Sequence, residues 1–188
     1  MTELNRRDVI LDGVISVLAE RGLAGVTHRA VDQVSGLPQG SCTYYFPRKA
    51  DLLVAVSARL VGLLEKDCDE LQVGFADIVA REGMEAGVSF VADEVVAYAE
   101  VHRHLFLARI ELTLAASRLP ELAGVSAELT AAARRPIAFF LQLITDGRHD
   151  VPIATCAGLI DGIGLMHATG QGPKPTAEQV AAVFRSVL

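Results

Sequence analysis

"THRAVDQVSGLPQGSCTYYFPRK", residues 27–49, is the stretch whose reading decides the fold. On either side the chain reads as apolar helix rich in Ala, Val and Leu. From Pro38 to Phe46 the chain crowds together a Pro, a Gly, small hydroxyl and thiol residues and three consecutive aromatics, and Pro-Arg-Lys follows. Thr27 is placed as the N-cap of a short helix, with Val26 and Val31 as a hydrophobic staple. Ala30 occupies the position of the Glu or Gln that would complete a capping box. Val31 and Val34 are expected to face inward, and Gly36 to close this helix. Pro38 suits the first turn of a second short helix. Pro47 disfavours helical geometry at Phe46, so that helix is expected from about Pro38 to Tyr45.

Upstream, Val9, Ile10, Val14, Val17 and Leu18 recur at three- and four-residue spacing, an amphipathic helix from about Asn5 to Arg21. Gly22 is expected to end it as a left-handed cap. A first helix followed by two short helices and a Gly-containing turn is the plan of a helix-turn-helix unit, whose second short helix enters the major groove. Gln39, Ser41 and Thr43 are small and polar enough to read base edges, and Gly40 lets the backbone come close. Tyr44 and Tyr45 offer phenolic hydroxyls to phosphates. Lys49, and Thr27, His28 and Arg29 at the preceding helix start, are candidates for the sugar–phosphate backbone. Neighbouring Tyr44 and Tyr45 cannot be equally buried on one helix face. Phe46 is assigned to the core.

Downstream the chain also reads as helix. Leu52, Leu53, Val56, Leu60, Leu63 and Leu64 carry one pattern from Arg48 to about Leu71. Beyond Gly74 the expected helices cover about Ala76–Ala99, loosened by Gly83 and Gly87, then "HRHLFLARIELTLAASR", then Pro120–Asp146, bent or split at Pro136. "DGRHDVP" reads as a turn, Pro152 opens a helix to about Thr169, "GQGPKPT" reads as a loop, and Thr176 caps a last short helix. No strand pattern competes. The expected fold is all-α, with about nine helices.

Composition narrows the class. The 188 residues are half hydrophobic, yet no apolar run of about eighteen residues lacks a charge, which argues against a membrane span. Asp8, Asp12 and Glu20 interrupt the apolar start that a signal peptide would need, so the expectation is a soluble cytoplasmic protein. Cys42, Cys68 and Cys156 are scattered and odd in number, neither a disulfide framework nor a zinc site. His102 and His104, two apart on a helix, point in different directions and suggest no metal. The net charge of −6 is uneven. Residues 1–50 carry six Lys/Arg against five Asp/Glu, and residues 51–188 carry eleven against eighteen. A near-neutral N-terminal module can still bind phosphate if its cations share a face.

The segment from about Arg6 to Leu53 resembles the DNA-binding domain of the TetR (tetracycline-repressor-like) family of bacterial regulators. The resemblance lies in an amphipathic helix, then "GLAGVTHRAV", "SGLPQGSCTYYF" and "PRKADLL" in succession. Pro38 departs from it, standing where the family usually has a small polar cap. The resemblance implies a DNA-binding domain over 1–48 and an effector-binding and dimerisation domain over 49–188, joined by a long helix. It also implies a homodimer on a near-palindromic double-stranded operator, and usually repression relieved by a small ligand. Phe106, Arg109, Leu112, Phe139, Phe140, Met166 and His167 lie on helices that line the effector cavity in the family. An apolar cavity with few polar groups would suit a drug-like, aromatic or acyl effector. Arg109 is open to meeting a carboxylate there or pairing with Glu111 or Glu100.

Dimerisation has its own signals. "AGLIDGIGLMHA" interleaves three Gly with apolar residues, each Gly costing about 1 kcal/mol relative to Ala in a helix interior. That implies close approach of another helix. "PIAFFLQLI" is apolar nearly all round and needs cover on several sides. Ile137, Phe140, Leu141, Ile144, Gly158, Ile160, Gly164 and Leu165 are the interface candidates, and burial of both helices within one monomer is the alternative. An activator or ligand-independent regulator of the same fold, a helical enzyme, and a dimerisation module without DNA binding are competing functions. No Gly-x-Ser-x-Gly elbow, Gly-rich phosphate loop or HExxH supports an enzyme, and no catalytic residue or cofactor is expected.

Overall fold

Asn5 opens the first helix by accepting a hydrogen bond from the Arg7 backbone N–H at 3.2 Å. The computed structural model describes residues 5–145 and 152–186. Helix α1 (Arg6–Gly25) is followed by α2 (His28–Val34), α3 (Ser41–Tyr45), α4 (Lys49–Glu82), α5 (Met84–Val101) and α6 (Arg103–Ala116). A 3₁₀ turn (Pro120–Leu122) leads into α7 (Ala123–Ile144), then α8 (Ile153–Ala168) and α9 (Ala177–Ser186). The fold is all-α, with nine α-helices among the described residues. The expected turn "DGRHDVP" falls mostly outside them.

The chain packs as two units, residues 1–63 with 104–131, and residues 64–103 with 132–188. Helices α4 and α7 each contribute to both packing units.

In the first unit, Ile10, Val14, Val17, Leu18, Val31, Phe46, Leu52, Val56 and Leu60 are buried. The Arg59 guanidinium on α4 donates to both Asp12 carboxylate oxygens on α1, at 3.0 and 3.2 Å. Gly22 does not end α1 as a left-handed cap. Its φ of 64° and ψ of −174° break the helix, and one more turn follows to Gly25. Only Gly adopts that region without strain.

In the second unit α5, α8 and α9 pack on one another. Phe75, Val91, Phe140, Leu141, Cys156, Val180 and Phe184 belong to its core. Phe140 meets Phe75 and Phe184 edge-on, with centroids 6.1 and 5.0 Å apart. Here α4 runs eleven residues beyond the expected end at Leu71. Gly74 is no stop: a Cβ there would meet the Phe90 ring of α5 at 2.7 Å, so its bareness serves close packing. The break comes at Gly83, with φ 92°. Helix α7 continues through Pro136 rather than splitting. Thr176 caps α9 in a full capping box, accepting from the Gln179 N–H at 3.2 Å while Gln179 Oε1 accepts from the Thr176 N–H at 3.0 Å.

Candidate nucleic-acid interface

Helix α2 starts as its sequence directs. The Thr27 hydroxyl oxygen accepts from the Ala30 N–H at 3.1 Å, and both staple residues, Val26 and Val31, are buried. Val34, however, is exposed, and the inward position is taken by Asp32, 3% exposed. One carboxylate oxygen of Asp32 accepts from the Gly40 N–H and the other from the Cys42 N–H, both at 2.7 Å. Sequence reasoning missed this residue. No residue identity signals its role, because its partners are backbone N–H groups.

Helix α3 is shorter than expected, beginning at Ser41 rather than Pro38. Gly40 at φ 96° is a left-handed N-cap without a capping side chain. The Pro38 carbonyl accepts from the Ser41 N–H at 3.1 Å and from its hydroxyl at 2.6 Å, which makes a turn where a helical start was expected. Cys42 is fully buried beneath α3, and burial followed by the Asp32 carboxylate pushes its thiol up to about 11. Phe46 is buried as expected, and the Arg7 guanidinium lies 4.9 Å from its ring centroid.

On the outer side Gln39, Gly40, Thr43 and Tyr44 are exposed and Ser41 and Tyr45 half-buried. Tyr44 is 81% exposed and meets the Tyr45 ring edge-on at 5.2 Å. Of the flanking candidates, Thr27, Arg29 and Lys49 are exposed. The Lys49 ammonium donates to the Leu23 carbonyl at 3.0 Å, and Glu111 accepts from the Leu23 N–H at 2.9 Å, so the turn after Gly22 is held from two helices. His28 is half-buried and turned inward, its Nε2–H donating to the Phe46 carbonyl at 2.7 Å. A base-sized polar surface with hydroxyls, an amide and nearby cations is chemistry suited to a duplex groove.

A family model described as tetracycline repressor-like, C-terminal domain, matches residues 82–188. The chain belongs to the TetR family. Solved structures agree over the whole chain. A TetR-family member from Streptomyces coelicolor A3 is 24% identical with a TM-score of 0.70, covering 98% of this chain and 99% of that one. A TetR regulator from Haloarcula marismortui is 19% identical with a TM-score of 0.62, covering 97% and 94%. The multidrug binding protein EbrR complexed with proflavin is 29% identical with a TM-score of 0.59, covering 98% and 100%. No curated protein matches the chain.

The remaining candidates divide between the two packing units. In the first, Leu112 is fully buried and the buried Arg109 holds its guanidinium 5.1 Å from the ring centroid of the half-buried Phe106. In the second, Phe139 and His167 are half-buried, Phe140 is buried and Met166 is 47% exposed. Ile137, Phe140 and Leu141, expected at a dimer interface, have side chains already covered by the core of their own unit. The side chain of Ile144 lies outside the described residues. On α8 the picture differs: Gly158 and Leu165 are exposed, and Ile160 and Gly164 half-buried. Leu159 and Met166 add further exposed apolar surface there, and among the described residues nothing beyond the helix's own adjacent backbone and the chain neighbours lies within 4 Å of a Cβ built on Gly158 or Gly162. No helix among the described residues is long and apolar enough to cross a membrane, and none of their His, Cys, Asp and Glu side chains form a group of three or more suited to a metal.

Proposed function

We propose that this TetR-family protein is a dimeric transcriptional repressor that reads a near-palindromic operator with α3 and is released by a small, largely apolar effector. The observation that carries the reading is the short helix of small polar residues, with Tyr44 almost wholly in solvent, fixed over a buried Phe46. Gln39, Ser41 and Thr43 are the base readers, Gly40 allows close approach, and Tyr44, Tyr45, Thr27, Arg29 and Lys49 grip the backbone. His28 serves the same surface indirectly, through its bond to the Phe46 carbonyl. The dimer is formed by the exposed apolar side of α8, around Gly158, Leu159, Leu165 and Met166, because open glycines beside exposed Leu and Met suit a second helix. An aromatic effector is favoured by the proflavin complex of EbrR.

Selection of bound sequences from a random duplex pool at near-physiological salt tests this reading. The expected result is a palindrome with half-sites about one helical turn apart. A folded protein that enriches no sequence, with or without proflavin present, would remove DNA reading from the proposal.

A further inference from the structure

Helix α3 has only five residues and no cap of its own. Gly40 at its start has no side chain, Pro38 has no acceptor in its ring, and the Ser41 hydroxyl donates to the Pro38 carbonyl rather than capping an N–H. So short a helix cannot hold its own geometry in water, since nucleation is unfavourable and its end groups outnumber its internal bonds. Both of its ends are instead held by one face of α2. His28 and Asp32 stand four residues apart there, which places them on the same side of the helix. Asp32 is an acceptor facing the end that offers N–H groups, at Gly40 and Cys42. His28 is a donor facing the end that offers a carbonyl, at Phe46.

We propose that His28 and Asp32 form a two-point clamp that positions the reading helix, making them specificity-determining residues that do not themselves touch bases. This rests on the DNA-reading function proposed above. The polarity of the clamp matches the donor and acceptor ends of α3, so it fixes register along the helix as well as distance. A carboxylate accepting two backbone N–H groups is a strong anchor, and losing it leaves the Cys42 N–H buried and unpaired. Groove contacts by Gln39, Ser41 and Thr43 depend on that register, whereas phosphate contacts from flexible Lys and Arg tolerate its loss.

The test compares full-length parent, Asp32→Ala, Asp32→Asn and His28→Ala. Each is measured on the selected consensus duplex and on a scrambled duplex of equal length, across a salt series. For Asp32→Ala the consensus-to-scrambled affinity ratio is expected to fall at least about tenfold, with scrambled binding within about twofold of parent. Asp32→Asn keeps one acceptor oxygen and should fall between. Backbone hydrogen exchange supplies a readout without DNA: protection at Gly40 and Cys42 should be lost in Asp32→Ala. Should that variant fail to fold by circular dichroism, Asp32→Asn decides in its place. An unchanged ratio in a folded Asp32 variant, a parallel fall on both duplexes, or unchanged amide protection overturns the clamp. For His28→Ala a lower salt slope with an unchanged ratio makes it a phosphate contact and overturns its half. A parent that selects no consensus but shows the amide effect overturns the DNA-reading function and leaves the clamp a purely structural device, which overturns the specificity claim with it.

Discussion

Residues 27–49 and the core of the second packing unit are held together by different physics. The first region has helices of seven and five residues that bury Val31, Cys42 and Phe46, and it is also fastened by directed bonds from Thr27, His28 and Asp32. The second buries Phe75, Phe140, Leu141, Val180 and Phe184 against one another, with aromatic edges in contact and little polar chemistry inside. Directed bonds demand particular residues at particular positions. Apolar packing demands volume and pattern and accepts many sequences.

The largest expected effects come from emptying each core in turn. Phe46→Ala and Phe140→Ala each remove a ring that is 2% exposed and should each cost about 3–5 kcal/mol in denaturant unfolding. Cys42 and Cys156, both fully buried with thiols pushed up to about 11 by burial, are built-in reporters of the two regions. Below that pH the folded thiols stay protonated and resist alkylation, since the thiolate is the nucleophile. In Phe46→Ala, Cys42 should be alkylated at lower denaturant than Cys156, and in Phe140→Ala the order should reverse. Equal exposure of both thiols in both variants would show one cooperative unit and erase the contrast drawn above.

Gly22→Ala is the next largest. At φ 64° and ψ −174° an Ala is strained by roughly 1–3 kcal/mol, and its Cβ would stand 3.2 Å from a Glu111 oxygen. That oxygen accepts the Leu23 N–H, so the substitution strains a junction built on one backbone residue. A fall in melting temperature is expected, together with weaker binding to all duplexes as the turn that receives Lys49 shifts. If stability is unchanged, the backbone at Gly22 is not the conformation described here.

These contrasts also explain what the sequence could disclose. The three-helix start and the buried Phe46 were legible because the Thr27 cap and Pro47 act locally, although the Gly22 and Pro38 cues misplaced two helix ends. Tertiary contacts defeated the local rules elsewhere. Gly74 looks like a stop but is bare to admit Phe90, and Gly83 is the true break. Asp32 and His28 look like surface polar residues, because their partners Gly40, Cys42 and Phe46 are backbone groups, which no residue identity advertises. Ile137, Phe140 and Leu141 read as an interface because apolarity reports burial without saying by what. The division of the effector candidates between two packing units is a tertiary fact with no sequence signature.

Thr27→Ala and Thr176→Ala compare one device in the two regions. Each removes an N-cap, worth about 1 kcal/mol. Thr176 shares its box with Gln179, whereas Thr27 stands alone because Ala30 cannot reciprocate. Similar stability losses are expected from both, but only Thr27→Ala should weaken operator binding, since α2 carries the residues that hold α3. A matching loss of operator affinity in Thr176→Ala would mean that the regions are coupled more tightly than their separate cores suggest.

The smallest stability effect belongs to Tyr44→Phe. Its ring is 81% exposed and touches Tyr45 only edge-on, so the hydroxyl contributes to no buried network. Melting temperature should be unchanged, as for other surface substitutions away from caps and cores. Affinity for the selected duplex should fall about fivefold, the worth of one hydrogen bond of about 1 kcal/mol. With a phosphate oxygen as the proposed partner, scrambled duplex should lose affinity by the same factor, whereas a loss confined to the consensus would move Tyr44 from the backbone to a base edge. A parallel loss of stability would instead place its hydroxyl inside the fold. Tyr44 thus separates the two kinds of fastening at a single atom: removing it leaves every internal bond of residues 27–49 in place and changes only what that region presents outward.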